Sequence, residues 1–311
     1  MERIRSGPLS LWERARVRAS DPLSPWERAR VRGRPLLPLC LGAVLSVAAA
    51  CSPEGAIPRT FITKPRVLAI KAEPPSVGPG ESTTVTILIA GAGGAAPSVS
   101  WLRCRRAPRP GDTVNPDCVD TAQADYLEPI GEGTTITTTM PADVTADSLG
   151  EPDASGGVYL PLIAHIGVAG QTLLATYRLR LSSAGDVNHN PVLTGILLVD
   201  AGGNTTPIDP ANPPVVNTGD QLDLRAAVAD GSVESYPAAL GGGTTDERLV
   251  TSWFSSAGNF TMERSDGAQP ATLLDLGALV PPPGSAIDLF AVTRDDRGGI
   301  DYVHRTLAFG Q

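Results

Sequence analysis

The fold is decided by two stretches, Leu160-Pro-Leu-Ile-Ala-His-Ile166 and Leu173-Leu-Ala-Thr-Tyr-Arg-Leu-Arg-Leu181. Apolar residues recur at every second position in both, and Thr176, Arg178 and Arg180 fall between them in the second stretch. Successive side chains of a β-strand point to opposite faces, so this period of two predicts two strands, each with one buried and one wet face. Such faces are typical of antiparallel sandwich sheets.

The same alternation recurs along the chain in segments separated by turns rich in Gly, Pro, Asp and Asn. These further predicted strands lie around residues 68–70, 85–89, 98–104, 135–139, 196–199, 222–228, 249–254, 287–291 and 302–309. We therefore predict an all-β chain of two tandem antiparallel β-sandwiches, with Trp101 and Trp253 at corresponding strands. The predicted boundaries are a tether at 52–63, a first sandwich at 64–184, a linker at 185–192 and a second sandwich at 193–311.

An apolar run precedes these sandwiches: Pro35-Leu-Leu-Pro-Leu-Cys-Leu-Gly-Ala-Val-Leu-Ser-Val-Ala-Ala-Ala50. It follows a basic flank and contains 16 residues, fewer than the ~20 that a bilayer-spanning helix needs. A basic flank, a short apolar run and small residues at its end are typical of a cleavable secretory signal. An ordinary signal cut within the Ala run and a retained transmembrane helix are the alternatives.

The end of this run, Val47-Ala-Ala-Ala-Cys51, resembles a bacterial lipobox, although Ala48 stands where Leu is usual. The resemblance implies that residues 34–51 are a lipoprotein signal peptide and that Cys51 is acylated, for instance with palmitate. Several acyl chains on one residue hold a protein stably at a membrane. We expect a protein of the cell envelope, anchored by lipid and located at the outer membrane, because Ser52 is not the Asp that retains enteric lipoproteins at the inner membrane.

Residues 1–33 contain a repeat in which Pro8-Leu-Ser-Leu-Trp-Glu-Arg-Ala-Arg-Val-Arg18 returns as residues 22–32 with one difference. The repeat has no hydrophobic period, so we interpret it as a translated repetitive DNA element, non-native or disordered, with synthesis starting near Val31. A basic arm for nucleic acid is the alternative. Removal of residues 1–51 leaves 16 basic and 29 acidic residues, a net charge of about −13, which argues against nucleic acid as a partner.

Cys104 and Cys118 flank a loop rich in Arg, Pro and Asp. An exported chain passes through an oxidising compartment, so we predict a disulfide between them. Metal ligation would need further Cys or His nearby, and the sequence has none there.

Three resemblances concern the sandwiches. A Trp on the third strand resembles the core of immunoglobulin-like domains, although these cysteines do not bridge the sheets in the immunoglobulin manner. The opening Pro65-Arg-Val-Leu-Ala-Ile-Lys-Ala-Glu-Pro-Pro-Ser-Val-Gly-Pro-Gly-Glu81, followed by Ser100-Trp-Leu-Arg-Cys104, is similar to uncharacterised myxobacterial-type lipoproteins. That resemblance implies a fold and a cellular location but no activity. The run Phe290-Ala-Val-Thr-Arg-Asp-Asp-Arg-Gly-Gly299 resembles the end of PKD-like domains.

The linker carries Asp186-Val-Asn-His-Asn-Pro191, which resembles the calcium-binding linker of cadherins. The resemblance implies Asp186, Asn188 and Asn190 as calcium candidates, because Ca²⁺ prefers clustered oxygen ligands. His189 replaces a key Asp of that pattern, and we favour a turn between strands with no metal or other cofactor.

Catalytic motifs are missing: the sequence has no Gly-x-Ser-x-Gly, no His-Glu-x-x-His and no P-loop. His165, His189 and His304 lie on distant segments, and the adjacent Asp295 and Asp296 are expected to point apart. We therefore predict a protein that is not an enzyme and acts by binding or scaffolding, with an unknown protein or glycan as partner. An accessory subunit of an envelope complex and a carbohydrate-binding accessory module are the alternatives. Loops 105–156 and 231–247 are the candidate surfaces.

Overall fold

The computed structural model describes residues 58–109, 112, 114–119, 124–152, 155–182, 187–238 and 242–310. They belong to one compact unit, Ile57–Gln311. The predicted repeat, the predicted signal peptide with Cys51, and Asp186 lie outside the described residues. Within the described part of the chain, no helix has the length and apolar character needed to cross a membrane.

Nearly all regular structure in these residues is β. The strands of the first half are β1 (Arg66–Glu73), β2 (Ser76–Val77), β3 (Ser82–Ala90), β4 (Ser98–Cys104), β5 (Leu127–Glu132), β6 (Thr135–Thr139), β7 (Tyr159–Val168) and β8 (Gln171–Leu181). Those of the second half are β9 (Leu193–Val199), β10 (Thr205–Pro207), β11 (Val215–Val216), β12 (Gln221–Val228), β13 (Ser235–Pro237), β14 (Thr244–Asp246), β15 (Val250–Ser255), β16 (Asn259–Phe260), β17 (Arg264–Asp266), β18 (Ala271–Asp275), β19 (Ala286–Arg294) and β20 (Ile300–Phe309). Short helices α1 (Pro116–Val119) and α2 (Ala146–Leu149) and a 3₁₀ turn (Ala124–Tyr126) lie between β4 and β7.

The two halves repeat one strand order. In the first, the sheet β1-β3-β6 shares a core with the sheet β2-β8-β7-β4-β5. In the second, β10-β9-β12-β18-β16 shares a core with β11-β20-β19-β15-β17. In each half the last strand lies between its hairpin partner and a two-residue strand that runs parallel to it. This arrangement matches the two sheets of immunoglobulin-like sandwiches, so the predicted all-β, immunoglobulin-like fold is confirmed.

The strands that decided the prediction form a hairpin. β7 and β8 pair antiparallel from Tyr159↔Arg180 to Val168↔Gln171. Ala169 and Gly170 form its two-residue turn, and both have positive φ, 48° and 72°. A two-residue turn with two positive φ angles matches the twist of the flanking strands, which fixes this register.

Trp101 and Trp253 occupy equivalent inner positions, as predicted, with 1% and 0% of their surface exposed. Each indole N–H has a buried partner: Trp101 Nε1 donates to the Gly133 carbonyl at 2.9 Å, and Trp253 Nε1 donates to Ser265 Oγ at 2.9 Å. A buried indole N–H without an acceptor would be costly, so each bond also fixes the orientation of its ring.

The structure differs from the sequence predictions at three places. Arg180, expected on the wet face of its strand, is fully buried and donates to Ser155 Oγ and Tyr159 Oη. Ile163, on the face of β7 opposite the core, is also buried, because the cysteine loop covers it. Thr60 and Ile62, placed in a free tether, are buried, and the Ile62 N–H donates to the Ser255 carbonyl at 2.8 Å.

Cys104 and Cys118 form the predicted disulfide, with Cα atoms 5.8 Å apart. Both cysteines are buried and pack with Ile163 in a small cluster that includes Leu102, Val114, Tyr126 and Leu127. The disulfide therefore holds the cysteine loop against the outer face of the β7–β4 pair.

Replacing both cysteines by Ala should lower the free energy of unfolding by about 3 kcal/mol, because the cross-link restricts a loop of about 15 residues in the unfolded chain. Urea denaturation of the oxidised protein, the reduced protein and the C104A/C118A variant measures this. The reduced protein should match the double variant. A loss below about 1 kcal/mol would mean that packing alone holds the loop.

Candidate functional site

The two sandwiches contact each other through an apolar face, which we call the junction. Phe290, Val292 and Ile300 of the second sandwich belong to the hydrophobic cluster of the first. Phe254 and Tyr302 pack against the same cluster. The second sandwich therefore buries part of the outer face of its β15-β19-β20 sheet, a face that would be wet in an isolated sandwich.

Hydrogen bonds and one ion pair surround this apolar contact. Lys71 Nζ lies 2.9 Å from Asp301 Oδ1. An Arg294 guanidinium N–H donates to the Leu68 carbonyl at 2.7 Å. Tyr177 Oη donates to the Gly298 carbonyl at 3.5 Å. With the Ile62–Ser255 bond, these contacts join three segments of the first half, namely the chain before β1, β1 itself and β8, to the second half.

The linker contributes its own side chains to the junction. Asn190 Nδ2 donates to the Ala72 carbonyl at 2.7 Å, and its Oδ1 accepts from the Ile300 N–H at 2.8 Å. The Asn188 N–H donates to Ser76 Oγ at 3.1 Å, and Asn188 Nδ2 donates to Asp295 Oδ2 at 3.3 Å. Each Asn thus connects the first sandwich to the β19–β20 hairpin of the second.

A buried guanidinium, that of Arg297, lies where the linker meets the second sandwich. Its side chain is 2% exposed, and it lies 3.1 Å from Glu247 Oε1 and 3.4 Å from Glu234 Oε2. It also donates to the Val187 carbonyl at 3.0 Å, and its guanidinium carbon lies 4.9 Å from the centre of the Tyr236 ring. Arg297 therefore gathers the linker, the β13–β14 hairpin and the β19–β20 hairpin.

The turn that carries Arg297 is built around the carboxylate of Asp295. Asp295 Oδ1 accepts from the N–H groups of Arg297 at 2.8 Å and Gly299 at 2.7 Å. A Cβ on Gly299 would lie 2.1 Å from Asp295 Oδ2, so this close approach requires glycine. Asp296 points away and accepts from Tyr236 Oη at 3.1 Å. The two acids do point apart, as expected from their adjacency.

Negative charge exceeds positive charge in this cluster. Burial raises the pKa of Glu247 to about 7, and the charge of Asp295 adds to the rise. Burial also raises the pKa of Asp295. The guanidinium pairs with two carboxylates, those of Glu234 and Glu247, and the charge of Asp295 also acts on Glu247, so holding a proton on Glu247 relieves both desolvation and repulsion.

The structure describes two of the three calcium candidates. Asn188 and Asn190 both donate their amide N–H groups to protein acceptors, and Asp186 lies outside the described residues. Over the described ranges, no three His, Cys, Asp or Glu side chains are grouped so that they could hold a metal ion. The turn without a metal that the sequence favoured, and the calcium site that the cadherin resemblance implied, both stay predictions.

The three histidines lie on separate elements. His165 is half-buried on β7, and His304 is exposed on β20, where Nε2 lies 2.8 Å from Asp288 Oδ1. His189 is 70% exposed, as expected for a linker residue, and its Nδ1 lies 2.5 Å from Glu234 Oε1. This placement brings no pair of histidines into one site.

The inserted loop 105–156 carries a surface pocket of about 330 Å³. Arg103 binds Glu128 through two N–H donors, at 2.8 Å and 3.2 Å, and Arg105 binds the same carboxylate at 2.8 Å. These two guanidinium groups hold the pKa of Glu128 below its usual range. Glu128 thereby joins the edge strand β5 to β4 and fixes one wall of the pocket.

The second inserted loop, 231–247, is not irregular. β13 and β14 form a hairpin with Tyr236↔Thr245 at its centre. Its base is fixed by Glu234 and Glu247, which both bind Arg297. Sequence reasoning missed Arg297, Glu234 and Glu247 as a site. The available signal was a charged Asp-Asp-Arg run directly after the buried strand β19.

Comparisons with known proteins add no family. No family model matches the chain, and no curated protein sequence matches it. A chimeric titin Z1Z2 carrying a decorin-derived peptide aligns with 80% of this chain and 98% of its own, at 15% identity and a TM-score of 0.21. The Yersinia pseudotuberculosis adhesin InvE aligns with 77% of this chain and 58% of its own, at 10% identity and a TM-score of 0.22. The eight N-terminal immunoglobulin domains of Down syndrome cell adhesion molecule align with 80% of this chain and 25% of their own, at 10% identity and a TM-score of 0.21. These TM-scores are too low to place the chain in a family.

The stability of the Glu247→Gln variant, compared with that of the wild type, should increase as the pH rises. Because the folded-state pKa of Glu247 lies above its ordinary 4.5, the stability that its protonated form contributes is present at low pH and is lost between about pH 4.5 and about pH 7. The difference in unfolding free energy between E247Q and wild type should therefore rise by roughly 1–3 kcal/mol from pH 4.5 to pH 7.5.

Urea denaturation at both pH values measures this difference, and other titrating groups cancel in it. E151Q, which changes an exposed loop acid, is the matched control and should give a difference that changes little. A difference for E247Q that is flat or falls with pH would contradict a protonated, buried Glu247.

Proposed function

We propose that this chain is a lipid-anchored protein of the bacterial cell envelope that acts as a non-catalytic binding or scaffolding protein. The observation that carries the anchoring is the apolar run with its basic flank that ends in Ala-Ala-Ala-Cys51. Residues 52–57 alone separate Cys51 from Pro58, the first described residue. Cys51 is the acylated residue in this proposal, and the resemblance to myxobacterial-type lipoproteins supports the same address, with the outer membrane as its location.

The binding role draws on the architecture of the described residues. The two immunoglobulin-like sandwiches meet over a buried junction, so they offer one continuous surface rather than two separate ones. Both inserted loops are fastened to that body, one by the disulfide and the other by Arg297. Loops held on a rigid sandwich are the usual place for recognition.

A role as an accessory subunit of an envelope complex has the same support, because a rigid two-sandwich body suits docking. Carbohydrate binding has less support. The loops 105–156 and 231–247 contain the aromatic residues Tyr126 and Tyr236. Tyr236 is 7% exposed, and the Arg106 guanidinium lies 4.1 Å from the Tyr126 ring centre. Neither ring offers the open platform on which sugars stack.

Cys51→Ala should abolish acylation and move the protein from the membrane fraction to the soluble fraction of a bacterial host, because no other lipid attachment point is proposed. Metabolic labelling with a palmitate analogue and membrane fractionation measure both effects. Cys40→Ala, in the same apolar run, is the matched control and should leave both unchanged.

The anchoring would be refuted if C51A remained acylated and membrane-bound. Crosslinking in intact cells followed by purification tests the binding role separately. Capture of the same envelope protein in repeated preparations supports scaffolding, whereas a chain that crosslinks to nothing would contradict it.

A further inference from the structure

A crevice of about 520 Å³ lies beside the junction, between the two sandwiches. Val67 and Leu68 of β1 form one wall, and the outer face of β15, with Val250, Ser252 and Phe254, forms the other. The boundary between two packed modules is a common place for ligand sites, and this volume falls in their usual range. The crevice borders the turn of Asp295 and Asp296 described above, and the pocket of the inserted loop 105–156 has a different lining.

Three guanidinium groups line this crevice, those of Arg248, Arg264 and Arg294. Arg248 pairs with Asp266. Across the part of the chain that the structure describes, Arg264 and Arg294 form no ion pair, and the one hydrogen bond of the Arg294 side chain goes to the Leu68 carbonyl. Two cations thus share one wall without a carboxylate of their own.

The two acids of the crevice are already engaged. Asp295 accepts from two backbone N–H groups and from Asn188, and Asp296 accepts from Tyr236. They therefore do not neutralise the arginines directly. Burial and the positive charge of Arg264 both lower the pKa of Arg294, which agrees with a guanidinium that lacks a counter-charge.

We propose that this crevice binds an extended acidic peptide segment of a partner protein, with a carboxylate on Arg264 and Arg294 and apolar side chains against Leu68, Val250 and Phe254. Guanidinium groups bind carboxylates through two parallel hydrogen bonds, which gives geometric selectivity as well as attraction. An extended peptide with alternating apolar and acidic residues presents the two kinds of side chain to opposite sides. Its acidic side chains can then meet Arg264 and Arg294 on the sheet that contains β15, while the apolar side chains between them meet Leu68 of β1.

The net negative charge of the chain limits which anionic ligands can enter the crevice. The chain has a net charge of −8, so long polyanions are repelled while a short acidic segment can reach the arginines locally. The inference deepens the binding role proposed above and rests on it, since it names the chemistry of the partner.

The test uses a fluorescent eight-residue peptide of alternating Val and Glu, and its Val/Gln counterpart, titrated into the purified full-length protein by fluorescence anisotropy. The acidic peptide should bind, and its Gln counterpart should bind at least about tenfold more weakly. Arg264→Gln should weaken the acidic peptide by about tenfold, since it removes one charge-assisted contact. Arg305→Gln removes the same charge from β20, outside the crevice lining and outside both inserted loops, and should change affinity less than twofold.

NMR amide shifts locate the peptide. Shifts concentrated at Val250–Phe254 and Leu68 support the crevice, whereas shifts confined to another surface overturn it. Equal binding of both peptides, equal loss in R305Q and R264Q, or no binding up to millimolar peptide also overturns it. The anchoring by Cys51 and the crosslinked partner would survive those outcomes, so a failure here is distinguishable from a failure of the proposed function.

Discussion

The buried guanidinium of Arg297 is the constraint on which the rest of the structure depends. Removing a guanidinium from water costs several kcal/mol unless acceptors surround it. Here those acceptors come from Val187 of the linker and from Glu234 and Glu247 at the base of the β13–β14 hairpin. Satisfying one side chain therefore fixes the linker, an inserted hairpin and the final hairpin relative to one another.

The junction follows from this arrangement. Once the linker is held by Arg297, Asn188 and Asn190 meet Ser76 and Ala72, and the outer face with Phe290 and Val292 is covered by the first sandwich. The crevice lined by Arg264 and Arg294 exists because β1 lies across that face. The proposed peptide site and the stability of the junction thus share an origin, because the contact that buries apolar area also creates a cleft between the two sandwiches.

Local pattern was enough to predict eleven of the twenty strands that the structure describes, whereas β5, β18 and seven strands of two or three residues were missed. The alternation of apolar residues placed β4, β6, β7 and β8 correctly, and both Trp residues occupy the predicted core positions. The disulfide could also be predicted, because two nearby cysteines in a chain that was expected to be exported leave few other pairings. Each of these features depends on residues close in sequence or on a property of the compartment.

The junction could not be predicted from the sequence, for a physical reason. Its contacts join residues far apart in sequence, such as Arg297 with Val187 and Lys71 with Asp301, and no local period reports such a pairing. Polar residues in a turn are normally exposed to solvent, so the local sequence gave no sign that Arg297 and Asp295 are buried. Arg180 was wrongly predicted to be exposed for the same reason. The alternation of a strand tells which face a side chain is on, but not whether another segment covers that face.

The central claim is that the junction makes the two sandwiches one cooperative body. Differential scanning calorimetry tests it most directly, by comparing the calorimetric enthalpy of unfolding with the van't Hoff enthalpy. The account predicts a single transition in which the two enthalpies agree. Two resolved transitions, each with the enthalpy of one sandwich, would contradict it.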